Sequence, residues 1–218
     1  RYCAKAGAMA EEKISFRGVI VSVQPRIRLT RSYDQRQHTY LGYSLRLTGK
    51  LGNEERQFLL GIGEGSQEKH AFQAGCEISG CCLPVEDPRK EPVEFYRVTG
   101  IEMFATTTAQ SPNPPPWLGI PPALSIYRER GHRRLDTRTF DDKCTTCLWG
   151  CRMAVEMIVD HWNPGVKRHR FETFCYGPKS CSFYRSGTTR KVPGRRGMSF
   201  EEEDWIDEEA TAHRGPDE

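Results

Sequence analysis

Five of the nine cysteines in this chain fall between Cys144 and Cys181, spaced C-x2-C-x3-C and then C-x5-C. Two thiols separated by two residues can face one ion when the backbone turns tightly, and a second pair downstream can complete a tetrahedron. A metal site built from them needs a fold that brings two distant cysteine pairs together. The nominal ligands are Cys144, Cys147, Cys175 and Cys181. Cys151 is a fifth candidate: with a helix starting near Leu148 it lies one turn beyond Cys147 and could replace one of the four. Four thiolates suit zinc, and a C-x2-C-x3-C run with a distant fourth cysteine could alternatively hold a [4Fe-4S] cluster.

Composition narrows the setting. An odd number of cysteines and no export signal fit metal ligation in a reducing cytoplasm better than a disulfide scaffold. No stretch approaches the roughly 20 apolar residues of a membrane span. The N-terminal RYCAKAGAMA lacks an apolar h-region, and its small residues before Met9 read as an upstream extension or an appended remnant, with Met9 a plausible natural start. The net charge of +3 hides two opposed blocks. Lys167 to Arg196 holds nine Lys or Arg against Glu172 alone, and Glu201 to Glu218 holds nine acids against Arg214 alone.

From Glu12 to Phe104 the pattern predicts five strands with one helix after the third. Ile14 to Val23 is the first strand, which Pro25 ends or bends. Tyr40 to Leu47 is the second, with Leu41, Tyr43, Leu45 and Leu47 on one face and Tyr40, Ser44 and Arg46 on the other. Gln57 to Ile62 is the third, with Phe58, Leu60 and Ile62 inward. Glu64 to Phe72 reads as a short helix stopped near Gly75, and Glu77 to Val85 and Glu94 to Phe104 complete the set. Cys76, Cys81 and Cys82 read as structural, and adjacent Cys81 and Cys82 cannot both face the core.

This order, over residues 12–105, resembles the OB-fold, a small five-stranded barrel with a helix between strands three and four. The resemblance implies binding on the face of strands two and three and on the loops after strands one and four. In the first loop Arg26, Arg28, Arg31 and Arg36 surround Tyr33, and Tyr40 and Arg46 lie on the outward face. Cations for phosphates interleaved with rings for bases are what single-strand binding requires.

Residues 106–122 hold six prolines and no charge. They read as a linker that holds two modules apart or lies along a surface. Residues 123–192 then form the expected cysteine-metal module, similar to a zinc ribbon or treble clef, with Met153 to Trp162 at helical spacing between the cysteine pairs. Around the second pair Lys167, Arg168, Arg170, Lys179 and Arg185 alternate with Phe171, Phe174, Tyr176, Phe183 and Tyr184, a further surface suited to nucleic acid. His161 could be a ligand, but at a helix end it reads more readily as a cap or surface group, and His169 reads as part of the basic surface. Residues 193–218 form a basic-to-acidic tail that either folds back on the basic face, docks a basic partner, or only solubilises.

The expected architecture is thus mainly β, with an α+β C-terminal module: an N-terminal extension over residues 1–11, the barrel, the linker, the metal module and the tail. No nucleophile-and-base or paired-carboxylate signature marks an enzyme. The expected function is non-catalytic binding of RNA or single-stranded DNA rather than duplex, with a structural metal and a possible protein partner for the tail. Two other classes remain open: an iron-sulfur redox protein or oxidoreductase subunit, and an adaptor within a larger assembly.

Overall fold

A computed structural model describes residues 12–106, 113–202 and 205–217. The expectations for residues 1–11, and part of those for the proline-rich segment and the acidic tail, lie outside the described residues. The structure is mainly β. Its first half contains β1 (Ile14–Arg31), β2 (Arg36–Leu51), β3 (Glu54–Ile62), helix α1 (Glu64–His70), β4 (Cys76–Pro84) and β5 (Phe95–Thr106). Strand β1 pairs with both β2 and β4, β2 with β3, and β5 with both β3 and β4, so the five strands close into a ring. The helix stands where expected, between the third and fourth strands.

Alternation explains the ring's interior. Phe16 and Ile20 of β1, Tyr43, Leu45 and Leu47 of β2, and Phe58, Leu60 and Ile62 of β3 are all buried. Two irregularities bend the long β1–β2 pair, one leaving Val21 unopposed in β1 and one leaving Leu41 unopposed in β2. A one-residue bulge exchanges the faces of a strand. The buried set of β1 accordingly passes from Phe16 and Ile20 to Val23, Ile27, Leu29 and Arg31. Gly42, beside the second bulge, has φ +126°, and a Cβ there would run into the Ile62 carbonyl.

Strand β1 does not end at Pro25, one of the two outcomes expected there, and its pairing with β2 is irregular just beyond it, between Arg26 and Ile27; its two halves have different neighbours. Ile14–Val19 pairs with β4, and Arg28–Arg31 pairs in parallel with Ala154–Met157. Pro25, which has no N–H to donate, falls in the interval between them.

The second half supplies α2 (Leu124–Arg130), β6 (Arg133–Arg134), a helical turn over Thr137–Cys144, β7 (Gly150–Ile158), β8 (Lys167–Cys175), β9 (Lys191–Pro193), β10 (Ser199–Glu201) and α3 (Trp205–Thr211). The helix expected over Met153 to Trp162 does not form: the stretch as far as Ile158 belongs to strand β7, and Val159 to Trp162 lie in the loop after it. Cys151, Met153, Val155 and Met157 share one face at period two and are buried against β1, an edge that the local pattern could not reveal. Strand β8 pairs antiparallel with β7, and β6 with β8, so the ring's sheet continues into the cysteine region. One apolar core joins the two halves, combining Ile27 and Leu29 with Tyr127, Met153, Val155, Phe174 and Tyr176. The acidic end folds back: α3 packs near β6, and Glu202 and Asp207 are buried. No helix among the described residues is long and apolar enough to cross a membrane.

Candidate functional site

Cys144 ends the helical turn after β6, and Cys147 follows in a tight turn in which its N–H donates to the Cys144 carbonyl at 3.1 Å. The Gly150 N–H then donates to the Cys147 carbonyl at 3.0 Å, which starts β7. Strand β1 clamps this knuckle. The buried Gln24 amide donates to the carbonyls of both Cys144 and Cys147 at 2.8 Å, and Ser22 Oγ donates to the Thr145 carbonyl. From the proline-rich segment, the Trp117 carbonyl accepts from the Leu148 N–H at 2.9 Å. Cys175 arrives at the end of β8 with the Gly177 N–H directed at its sulfur at 3.4 Å.

Cys144, Cys147, Cys175 and Cys181 line one cavity of about 10 Å³, closed by Trp117, Trp149, Phe183 and Tyr184. That is room for roughly one water-sized sphere. All four are free thiols. Burial, reinforced by the neighbouring cysteines, pushes the Cys144 thiol up to about 12, and burial pushes Cys147 up to about 11 against backbone hydrogen bonds from Trp149 and Trp117. Burial likewise raises Cys175. Among the described residues, no group of three or more His, Cys, Asp or Glu side chains is placed so that it could hold a metal ion. What the four thiols share is a cavity and its framing hydrogen bonds.

The structure does not bring Cys151 to that cavity. Its fully buried sulfur donates to the Pro25 carbonyl at 3.3 Å, inside the core. Cys76 and Cys82 are buried within the ring, and Cys81 is only half-buried. His161 faces Asp34 at 3.3 Å and His169 faces Glu156 at 3.4 Å.

The hairpin arginines are engaged internally. Arg28 meets Glu91 at 2.6 Å, and Arg26 donates to the Leu41 carbonyl and lies 3.6 Å from the same Glu91. Arg31 is 1% exposed and is held by Glu202 at 2.6 Å and Glu172 at 3.3 Å. Arg36 pairs with Glu202 and lies 3.6 Å from Asp207. Arg46 is half-buried and donates to Gln57, and the guanidinium of Arg128 covers the ring of Tyr40 at 4.8 Å. Of this set Tyr33 is exposed. Farther along, Lys167 pairs with Glu156, Arg170 with Glu172, and Lys179 donates to the Arg214 carbonyl. Arg168 and Arg185 are exposed, the latter donating to the Ser182 and Tyr184 carbonyls.

Sequence reasoning missed the buried charge cluster that these pairs belong to. Glu172 also accepts from Arg190 at 2.9 Å, while Asp207 meets Arg134 at 2.7 Å and His132 at 3.8 Å. The His132 ring packs against His38 at 4.7 Å. Burial, then the charges of Arg36 and Arg31, lowers His38 to about 4, and burial drives His132 well below its ordinary value. Burial pushes Glu202 up, but Arg31 and Arg36 more than offset it and leave the carboxyl below its ordinary value. Opposed charge blocks were the available signal, and only the fold shows that they meet inside the molecule. Compared with known proteins, the chain matches no family model, no curated protein and no solved structure.

Proposed function

We propose that this chain is a non-catalytic binding protein for RNA or single-stranded DNA, built on an OB-like barrel whose cysteine extension is held by one structural zinc ion. The observation that carries the reading is the shared cavity: thiols from two segments about thirty residues apart line one small space, and Gln24 of the barrel's first strand clamps the Cys144–Cys147 turn. An all-sulfur donor set favours a soft or borderline ion over magnesium or calcium. A space of about 10 Å³ suits a bare ion better than an eight-atom iron-sulfur cube. Cys144, Cys147, Cys175 and Cys181 would hold the ion as thiolates, their protons released on binding. The ion would fix the turns that lead into β7 and out of β8.

The ring of five strands with α1 between β3 and β4 supports the barrel half of the reading. Nucleic acid is the partner class best matched by exposed cations and rings, including Arg168, Arg185, Arg195, Arg196, Tyr33 and Trp162. The test is fluorescence anisotropy of labelled uridine and deoxythymidine oligomers against a matching duplex over a salt series. The expected result is preference for the single strands and affinity falling steeply with salt. Absent binding to all three would contradict the nucleic-acid reading, equal binding to all three would contradict its preference for single strands, and either leaves the metal site to be judged separately.

A further inference from the structure

Three hairpin tips converge at the end of the molecule beyond β1. The β1–β2 turn brings Tyr33 and Gln35, the β7–β8 loop brings His161 and Trp162, and the β9–β10 turn brings Arg195 and Phe200. Together they line an open groove of about 460 Å³. Its walls are apolar in an unusual place. Trp162 is 84% exposed, Tyr33 56% and Met198 52%, a concentration of apolar surface that folding alone does not explain.

The ring geometry defines the shape of a guest. Tyr33 lies on Phe200 with centroids 4.9 Å apart and planes 29° apart, and His161 meets Tyr33 edge-on. Stacked rings form a flat wall, and Trp162 adds an exposed indole in the same groove. A flat wall with a separate aromatic blade suits a planar ring better than a round cation, which is held by rings facing it from several sides. Polar groups suited to a base edge are also present in Gln35, Asp34 and Asp160.

Cations stand at the rim. Arg195 reaches Asp160 at 3.5 Å and keeps nearly half of its side chain exposed. Arg196, also exposed, sits at the hairpin tip with φ +55°, a left-handed conformation uncommon for a residue with a Cβ. That turn is closed by the Gly194 N–H donating to the Met198 carbonyl at 2.7 Å and the Met198 N–H donating to the Arg195 carbonyl at 3.1 Å. Backbone strain of this kind persists where the surroundings enforce it. Here Arg195 lines the aromatic groove and the exposed Arg196 follows it in the same turn, the pairing of phosphate and base contacts that single strands select.

We infer that this groove, and not the arginine-rich flank of the β1–β2 hairpin, receives an unstacked nucleobase of a single-stranded nucleic acid, with Tyr33 and Trp162 as its stacking partners and Arg195 and Arg196 beside the backbone phosphates. The inference rests on the nucleic-acid reading above and locates its contact surface.

The test uses the full chain and fluorescein-labelled uridine and deoxythymidine oligomers. Trp162→Ala and Tyr33→Ala should each weaken binding about 10-fold, the scale of one lost stacked base, while Trp162→Phe, which keeps a ring, stays near wild type. Oligomer should quench tryptophan emission in the wild type and quench it much less in Trp162→Phe. A stronger response to uridine would identify RNA as the source of the base, and a stronger response to deoxythymidine would identify DNA. Wild-type binding left unchanged by both alanine variants would overturn this inference while sparing the wider reading, and no wild-type binding would remove both. Self-association lost in Trp162→Ala, with oligomer binding unchanged, would assign the groove to a second copy of this chain and overturn the inference equally.

Discussion

The two ends of β1 are held by opposite kinds of interaction. At its start Phe16 and Ile20 point into the ring against Phe58 and its neighbours, and the neighbour on the far edge is β4. At its end Arg31 occupies the corresponding inward position, and the groups that surround it are Glu172 from β8 and Glu202 from the tail. The first end needs only apolar area. The second takes several charges out of water, which is tolerable only when each finds its partners. One strand therefore joins a robust half to a half whose stability depends on complete pairing, and the acidic tail belongs to that second half.

The largest effects should come from breaking either end. Phe58→Ala removes a buried ring from the first and should cost about 3 to 5 kcal/mol in chemical denaturation. Arg31→Ala leaves carboxylates buried without it and should cost a similar 3 to 5 kcal/mol. The two should differ in where protection is lost. Hydrogen exchange in Arg31→Ala should rise first in α3 and β10, whereas Phe58→Ala should loosen the ring, and identical exchange patterns would show that the ends are not distinct.

Acid should find the second end next. His38 keeps its native value near 4, whereas in the unfolded chain it titrates near 6.5. Between those values the unfolded chain binds more protons, so stability falls as pH falls through that window, and the His38 contribution levels off below about pH 4. The groups facing it are Arg36, Arg31, Glu202, Glu172 and His132, and His132 acts in the same direction. A shift of this size corresponds to about 3 kcal/mol for His38, and urea midpoints from pH 7 to pH 4 should record the loss. A flat profile would show that neither histidine is kept neutral by burial.

How much of this was legible beforehand follows from which forces are local. The ring strands and α1 could be read because alternating residues such as Leu45 and Leu47 report a sheet face directly, and helix α1 has no competing signal. Strand β7 could not, because Met153, Ala154, Met157 and Ile158 fit a helical stripe while Cys151, Met153, Val155 and Met157 fit a strand. The open edge of β1 decided between them, through the pairing of Arg28–Arg31 with Ala154–Met157 from far along the chain. The arginine hairpin failed for a related reason. Val21 bulges from β1 and turns Arg31 inward, a one-residue change of phase that leaves no mark in composition. At the cysteines, spacing brought four residues into view, and only the three-dimensional arrangement separates Cys151 from them.

The smallest predicted effect sharpens the contrast by showing what a partly exposed pair contributes. Arg28 meets Glu91 at 2.6 Å, the same distance at which Arg31 meets Glu202, yet a third of its side chain is exposed. Arg28→Ala should therefore change stability by no more than about 1 kcal/mol. A loss as large as that of Arg31→Ala would mean that burial is not what distinguishes the two arginines.

The claim on which the account depends is that the four cysteines lining one cavity hold a single ion, and native mass spectrometry with elemental analysis of anaerobically purified protein tests it most directly. The account predicts a colourless protein with one zinc per chain, lost together with the fold of the cysteine region in Cys144→Ser. Metal-free protein whose four thiols react freely in the folded state, or a brown protein carrying iron and sulfide, would contradict it.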